Sequence, residues 1–179
     1  MLIKNIFGHL KTILTHKFWV FYYSCKLGIP WRGLVHDLSK FSPIEFWESV
    51  KYYQGGKRSP INACKEDKGY SLAWQHHKGR NPHHYEYWID KVDEGGVAIN
   101  MPAQYKLELL ADYLAAGKVY MGKSFTYQTE FDWFKRKLKK SPKMHSDVRC
   151  FVELSMEMLC MDSDKGFSLI KDLAKIYTN

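Results

Sequence analysis

The sequence predicts an all-α fold, on three observations. Apolar residues recur at helical spacing through most of the chain, no stretch keeps the alternation of a half-buried strand, and the breaks fall on Gly, Pro and Asn. The spacing predicts helices over 2–27, 31–40, 43–54, 69–77, 84–92, 101–121, 128–140, 145–162 and 165–177. Gly28-Ile29-Pro30 stops the first. Ser42-Pro43 starts another, with Ser as N-cap and Pro at the first helical position, and Gln54-Gly55-Gly56 ends it. Residues 55–67 read as a polar loop. Gly79-Arg80-Asn81-Pro82 interrupts a His-rich stretch, and Glu94-Gly95-Gly96 closes the helix after it. Leu2, Ile3, Ile6, Phe7, Leu10, Ile13 and Leu14 form a stripe that reads as the core-facing side of the first helix.

A length of 179 residues fits one domain, at ~150 residues each. A hydrophobic share of 45% and a charged share of 26% exclude a disordered or collagen-like chain. The aromatic share of 16% points to a core built largely on Trp, Tyr and Phe. Cys25, Cys64, Cys150 and Cys160 form no C-x-x-C pair, and nothing resembles a secretory leader. Reduced thiols in a cytoplasmic protein are therefore expected. The longest apolar-aromatic run, Phe18 to Tyr23, is far short of the ~20 residues of a membrane span.

The basic residues are unevenly placed: thirteen Lys/Arg against seven Asp/Glu up to residue 90, and fourteen against twelve beyond it. Seven of the eight histidines lie before residue 85. A basic, His-rich half suits an anionic ligand such as a phosphate, because positive clefts concentrate anions. A second basic run, Lys135 to Lys143 behind Trp133 and Phe134, reads as a solvated helix end; a nucleic-acid contact is the alternative.

Four places carry candidate chemistry: His16, the run Leu34 to Lys40 containing His36-Asp37, the stretch Trp74 to Glu86, and Asp112 among Leu110, Ala111 and Leu114. Imidazole and carboxylate together suit Zn, Fe, Mn or Co. An unpaired carboxylate beside Leu34 and Val35, or within the apolar helix around Asp112, is costly, and a cation relieves that cost. The doubled pairs His76-His77 and His83-His84 add four nitrogen donors, with the member of each pair that faces the site left open. Glu45 is a candidate to orient a ligating imidazole.

Taken jointly, these residues resemble the HD-domain superfamily of metal-dependent phosphohydrolases. Its mark is a His, a later His-Asp dipeptide and a distant Asp on separate helices. His16 lies about twenty residues before His36-Asp37; His36-Asp37-Leu38-Ser39-Lys40 is similar to the His-Asp-x-x-Lys run, and Ala111-Asp112-Tyr113-Leu114-Ala115-Ala116 to the closing Ala-Asp helix. The resemblance covers roughly residues 9–120. It is closest to a bacterial and phage branch carrying the stretch His-His-x-Gly-Arg-Asn-Pro-His-His. It implies an HD-like helical domain over 1–125, with 126–179 as a C-terminal extension of the same domain.

The resemblance further implies that His16, His36, Asp37 and Asp112 hold a divalent transition metal (Mn, Fe, Co, Zn or Ni, with Mg also open). One or two ions are allowed; His76, His77, His83 and His84 would hold the second or contact substrate. Asp37 and Lys40 are the catalytic candidates, and Lys40, Lys78 and Arg80 the phosphate partners. The implied activity is hydrolysis of a phosphate ester in a small anionic substrate, a nucleotide first. A di-iron oxygenase and a non-catalytic, metal-stabilised nucleic-acid-binding module are the alternatives. No membrane partner is expected, and a homodimer is open.

Overall fold

The first helix, α1 (Leu2–Lys26), turns an unexpected face inward. Its buried residues are His9, Ile13, His16, Val20, Tyr23 and Ser24, spaced three and four apart. The more apolar stripe identified from the sequence is instead largely exposed, with Leu2 at 61% and Phe7 at 67%. The face bearing two histidines is the one that meets the rest of the molecule. In the same way Trp31, Phe41 and Trp47 lie in contact with water, so the N-terminal aromatics are not mainly core. The computed structural model describes residues 2–139 and 143–177.

After Gly28, α2 (Pro30–Val35) folds back on α1. Gly33 permits the close approach, since a Cβ there would sit 2.6 Å from Ser24 Cβ. The expected helix over 31–40 ends early. Asp37 takes a left-handed conformation (φ 53°), and a 3-10 turn over Leu38–Phe41 follows. Residues α3 (Pro43–Lys51) and α4 (Pro60–Lys68) both start on a Ser-Pro pair. The second falls almost entirely in the expected polar loop of 55–67, and it buries Pro60, Ala63 and Cys64.

Capped by the Ser71 hydroxyl, α5 (Leu72–Arg80) starts later than expected and runs on through Gly79. The helix expected over 84–92 is a single 3-10 turn, Tyr85–Trp88. A two-residue antiparallel ladder follows, β1 (Ile89–Asp90) with β2 (Val97–Ala98), pairing Ile89 with Ala98. The fold is otherwise all-α among the described residues.

Helix α6 (Ala103–Met121) is buried on nearly every side, from Lys106 to Gly117, and packs against α1 along its length. The last three helices are α7 (Tyr127–Leu138), α8 (Ser146–Met161) and α9 (Ser163–Ile176). They pack on α6 and on one another, the two amphipathic C-terminal helices falling where the spacing placed them. One hydrophobic cluster runs from Val20 through Leu110 and Phe151 to Ala174. All four cysteines are free thiols. No helix among the described residues is long and apolar enough to cross a membrane.

Candidate metal centre

Four elements deliver the candidate ligands. His16 comes from the middle of α1, His36 caps α2, and Asp112 lies on α6. The left-handed backbone at Asp37 matters here: two successive residues on a helix point about 100° apart, and the break lets both side chains turn to one place. His16 Nε2 lies 3.0 Å from Asp112 Oδ1 and 4.0 Å from Asp37 Oδ2. His36 Nε2 lies 3.1 Å from Asp37 Oδ2 and 3.6 Å from Asp112 Oδ1. Ligands at 2.0–2.2 Å from one ion can be at most roughly 4.4 Å apart, so all these separations are compatible with a shared cation.

The other oxygen of Asp37 faces a second set. Asp37 Oδ1 lies 3.3 Å from His77 Nε2 and 3.5 Å from His83 Nε2. The rings of His83 and His84 are 4.2 Å apart, and those of His77 and His84 4.8 Å. One ligand atom from each of Asp37, His77, His83 and His84 falls within 4.8 Å of the others, as it does for His16, His36, Asp37 and Asp112. Asp37 therefore joins two clusters of four. The break at Asn81 and Pro82 brings His77 to the same place as His83 and His84 although only eight residues hold the three.

Of the four doubled histidines, His76 is the one not brought in. Its Nδ1 meets Glu45 Oε1 at 2.6 Å, and its Nε2 accepts from Arg80 Nε at 2.7 Å. Arg80 is thus turned to His76 rather than to either cluster. Lys78 likewise is in neither set. Lys40, by contrast, lies beside the centre, with Nζ 2.6 Å from Asp37 Oδ2.

The outward-facing ring nitrogens are held by carboxylates. His77 donates from Nδ1 to Glu45 Oε2 (2.8 Å), and His36 donates from Nδ1 to Glu108 Oε1 (2.9 Å). An ionised carboxylate only accepts, so each bond fixes the proton on Nδ1 and directs Nε2 to the centre. Glu108 Oε1 also lies 3.2 Å from His83 Nδ1, and its other oxygen takes Arg32 Nη2 at 2.6 Å. His36, His83 and Glu108 could also group around an ion, but Glu108 touches the Nδ1 side of both rings, away from Asp37. Sequence reading missed Glu108. Its signal was there: an acid four residues before Asp112, on the same face of an apolar helix.

Charges in the site are strongly biased. Burial works against ionisation of Asp37, yet the charges of His36 and Lys40 hold it well below the usual carboxylate range. Asp112 is held low against burial by the nearby imidazoles of His16 and His36. Burial also opposes Glu108, which the imidazoles of His36 and His83 bring down to about 2. Burial, with Lys40 adding, lowers His16 to about 4, and burial likewise holds His84 well below the usual imidazole range. His36 is raised, because the Asp37 charge and neighbouring carboxylate bonds outweigh burial. Ionised Asp37 and Asp112 beside neutral His16 and His84 are the protonation states a metal site requires, whereas His36 must give up a proton for a cation to bind.

The polar atoms pointing inward are also unsatisfied. His16 Nε2, His36 Nε2, Asp37 Oδ1, His83 Nε2 and His84 Nε2 are buried without a hydrogen-bond partner, although several lie within ion-pair distance of a carboxylate. Five orphaned atoms aimed at one small volume fit a cation far better than a protein core. The residues fit the group.

Two openings reach the centre. A cavity of about 160 Å³ is lined by His9, Thr12, His16, Lys40, Asp112 and Tyr120. His9, seven residues before His16 on the same face, was not recognised in the sequence. A larger cleft of about 790 Å³ has His84 and Asp112 on its floor and Trp74, Tyr113 and Trp133 on its walls. Lys65, Arg136, Lys137 and Lys139 line it as well. The basic run read as a solvated helix end thus supplies part of a cleft wall, because α7 packs beside α6. Lys140, Ser141 and Pro142 of that run lie outside the described residues.

The class so defined is an all-α protein with a doubled histidine–carboxylate cluster opening to a basic cleft. Residues 5–158 match the model of a family of unknown function, DUF5662, and the chain belongs to that family. Neither the curated proteins nor the solved structures contain a significant match to it.

Proposed function

We propose that this chain is a metal-dependent phosphohydrolase of HD-domain type, cleaving a phosphate ester of a nucleotide or related small molecule. The observation that carries the reading is the Asp37 carboxylate, which offers one oxygen to His16 and His36 and the other to His77 and His83. His16, His36, Asp37 and Asp112 would hold one divalent cation, and Asp37, His77, His83 and His84 a second. Mn, Fe, Co, Zn, Ni and Mg are the candidates. Cations held there supply a Lewis acid for a phosphoryl oxygen and acidify water so that hydroxide forms near neutral pH.

The protein's own part is positioning. Glu45 and Glu108 keep His77 and His36 in one tautomer and one orientation. Lys40, at the edge of the 160 Å³ cavity, can turn from Asp37 to a phosphate oxygen and offset charge that builds up as the ester bond breaks. Lys65, Arg136 and Lys137 on the cleft wall attract the substrate's remaining negative charge. Asp37 or a nearby His is the candidate to take the proton from the attacking water. Lys78 and Arg80 have no part in this arrangement.

The test is metal analysis of the purified protein, followed by phosphate release from nucleoside mono-, di- and triphosphates, cyclic dinucleotides and generic phosphodiesters. Release that depends on Mn, Co, Zn, Ni, Fe or Mg supports the reading. Two irons with a mixed-valent signal and no phosphate release would replace it with the oxygenase. Neither metal nor turnover would leave a binding module.

A further inference from the structure

Glu130 is a buried acid with no role in the metal clusters. On α7 it is 2% exposed, yet its carboxyl takes no hydrogen bond or ion pair from any described residue. Arg58, which lines the same cavity, pairs with Glu66 at 2.6 Å rather than with Glu130. Burial, with the Asp112 charge adding and Lys137 opposing, pushes the carboxyl up to about 8. The space it occupies is provided by Gly117, where a Cβ would collide with Glu130 Oε2.

This carboxyl lines a cavity of about 290 Å³ together with Asn62, Ala116, Gly117, Tyr120 and Trp133. The volume is many times the ~30 Å³ share of a single water. The cavity shares Asn62, Ala116 and Trp133 with the basic cleft above the metal centre. Along α6, residues 112 and 117 are separated by about 7.5 Å of helix axis. The two positions also point about 140° apart around the helix, and Ala116, which lines both spaces, joins them, so a nucleotide with its phosphate near Asp112 would extend its base toward Glu130.

We propose that Glu130 is the specificity residue of this cleft and reads a guanine base, accepting its two adjacent N–H groups while Trp133 offers a ring for stacking. Once ionised, a carboxylate has two accepting oxygens and no internal donor and matches a pair of parallel N–H donors, so binding of the base is coupled to release of the proton Glu130 holds below about pH 8. Among the common bases guanine presents such a pair, at its ring N–H and its exocyclic amino group. Adenine and cytosine present one amino group each beside an acceptor, which a carboxylate repels. An unpaired buried acid is costly, and the arriving donors remove that cost. The inference rests on the phosphate-ester reading for the orientation of the substrate, with its phosphate at Asp112 and its base at Glu130.

Nucleosides test it independently of hydrolysis. The metal-loaded protein and its Glu130→Gln variant are titrated calorimetrically with guanosine, inosine and adenosine, and both are assayed for phosphate release from p-nitrophenyl phosphate. Expected are binding of guanosine by the parent about tenfold or more tighter than inosine or adenosine, and loss of that preference in Glu130→Gln with unchanged phosphate release. Glu130→Asp, which keeps the charge on a shorter arm, should retain part of the preference and shows that the site still folds. Equal binding of the three nucleosides by the parent, or an unchanged guanosine preference in Glu130→Gln, overturns the inference. Absence of phosphate release in the parent sinks the hydrolase reading instead, and the nucleoside titrations still decide the role of Glu130.

Discussion

Glu108 Oε1 and His36 Nδ1 meet at 2.9 Å in a pair with almost no solvent contact, so this bond sets which nitrogen His36 turns to the centre. Arg32 anchors the other oxygen of the same carboxylate, and the orienting group is itself oriented.

Replacing Glu108 with Gln keeps the shape but removes the obligatory acceptor. Affinity for the bound cations is expected to fall roughly 10–100-fold, as for other groups that orient a ligating imidazole. Competition titration against a chromogenic chelator measures it. An unchanged affinity would mean that Glu108 serves only the Arg32 ion pair.

Metal stoichiometry separates the clusters. The parent protein should carry two ions per chain, His16→Ala and His84→Ala one each, and Asp37→Ala none. Phosphate release in Asp37→Ala should drop on the order of 10³-fold or more. Because residue 37 has a positive φ, Ala also adds ~1–2 kcal/mol of backbone strain. Asp37→Asn avoids this, and it too should lose both ions. Elemental analysis of desalted samples checks all four; two ions retained in the Asn variant would remove Asp37 from both sites.

Chelation should lower thermal stability. Cations bound to the folded chain alone stabilise it by about 2.7 kcal/mol at a hundredfold excess over Kd. For a chain of this size each kcal/mol is roughly 2–4 °C in Tm. A scan before and after treatment with a strong chelator should show that loss, with recovery on adding metal. No change in either direction would argue against bound ions in the fold.

Glu130 makes a pH signature that its own substitution isolates. Its folded-state pKa, about 8, is above its ordinary 4.5, so the folded chain holds a proton that the unfolded chain releases. The associated stability is present in full below pH 4.5 and is lost as pH rises from there through 8. Glu130→Gln should therefore lose less stability than the parent between pH 5 and pH 9, by roughly a few kcal/mol. Denaturant melts at several pH values measure the difference; parallel curves would show an ordinary, solvated acid.

The helical class was legible because α1, α6, α8 and α9 keep their periodicity and end on plain signals such as Gly28 and Asp162. His16, His36, Asp37 and Asp112 stood out as polar groups amid apolar neighbours, and they converge. What the chain did not disclose is set by tertiary contact. Asp37 leaves the helix for a left-handed conformation that no local glycine announces. Helix α4 hides in a polar stretch, since three small buried residues suffice to dock it. His76 and His77 look alike in sequence and both bond Glu45; what tells them apart is that Nε2 of His77 faces Asp37 and Nε2 of His76 faces Arg80. The basic run of α7 reads as a solvated face until its neighbour α6 is known.

Helix α6 bears Glu108 and Asp112 on one side and meets α7, α8 and α9 on the others. The final third of the polypeptide thus acts as the splint that keeps two of the most important acids in register with α1. A shortened version stopping at residue 125 would retain every proposed ligand, yet it would leave Leu110 and Leu114 without the partners that shield them from water. For expression and crystallography, the practical boundary of this molecule lies beyond α9, even though its chemistry is concentrated before residue 120.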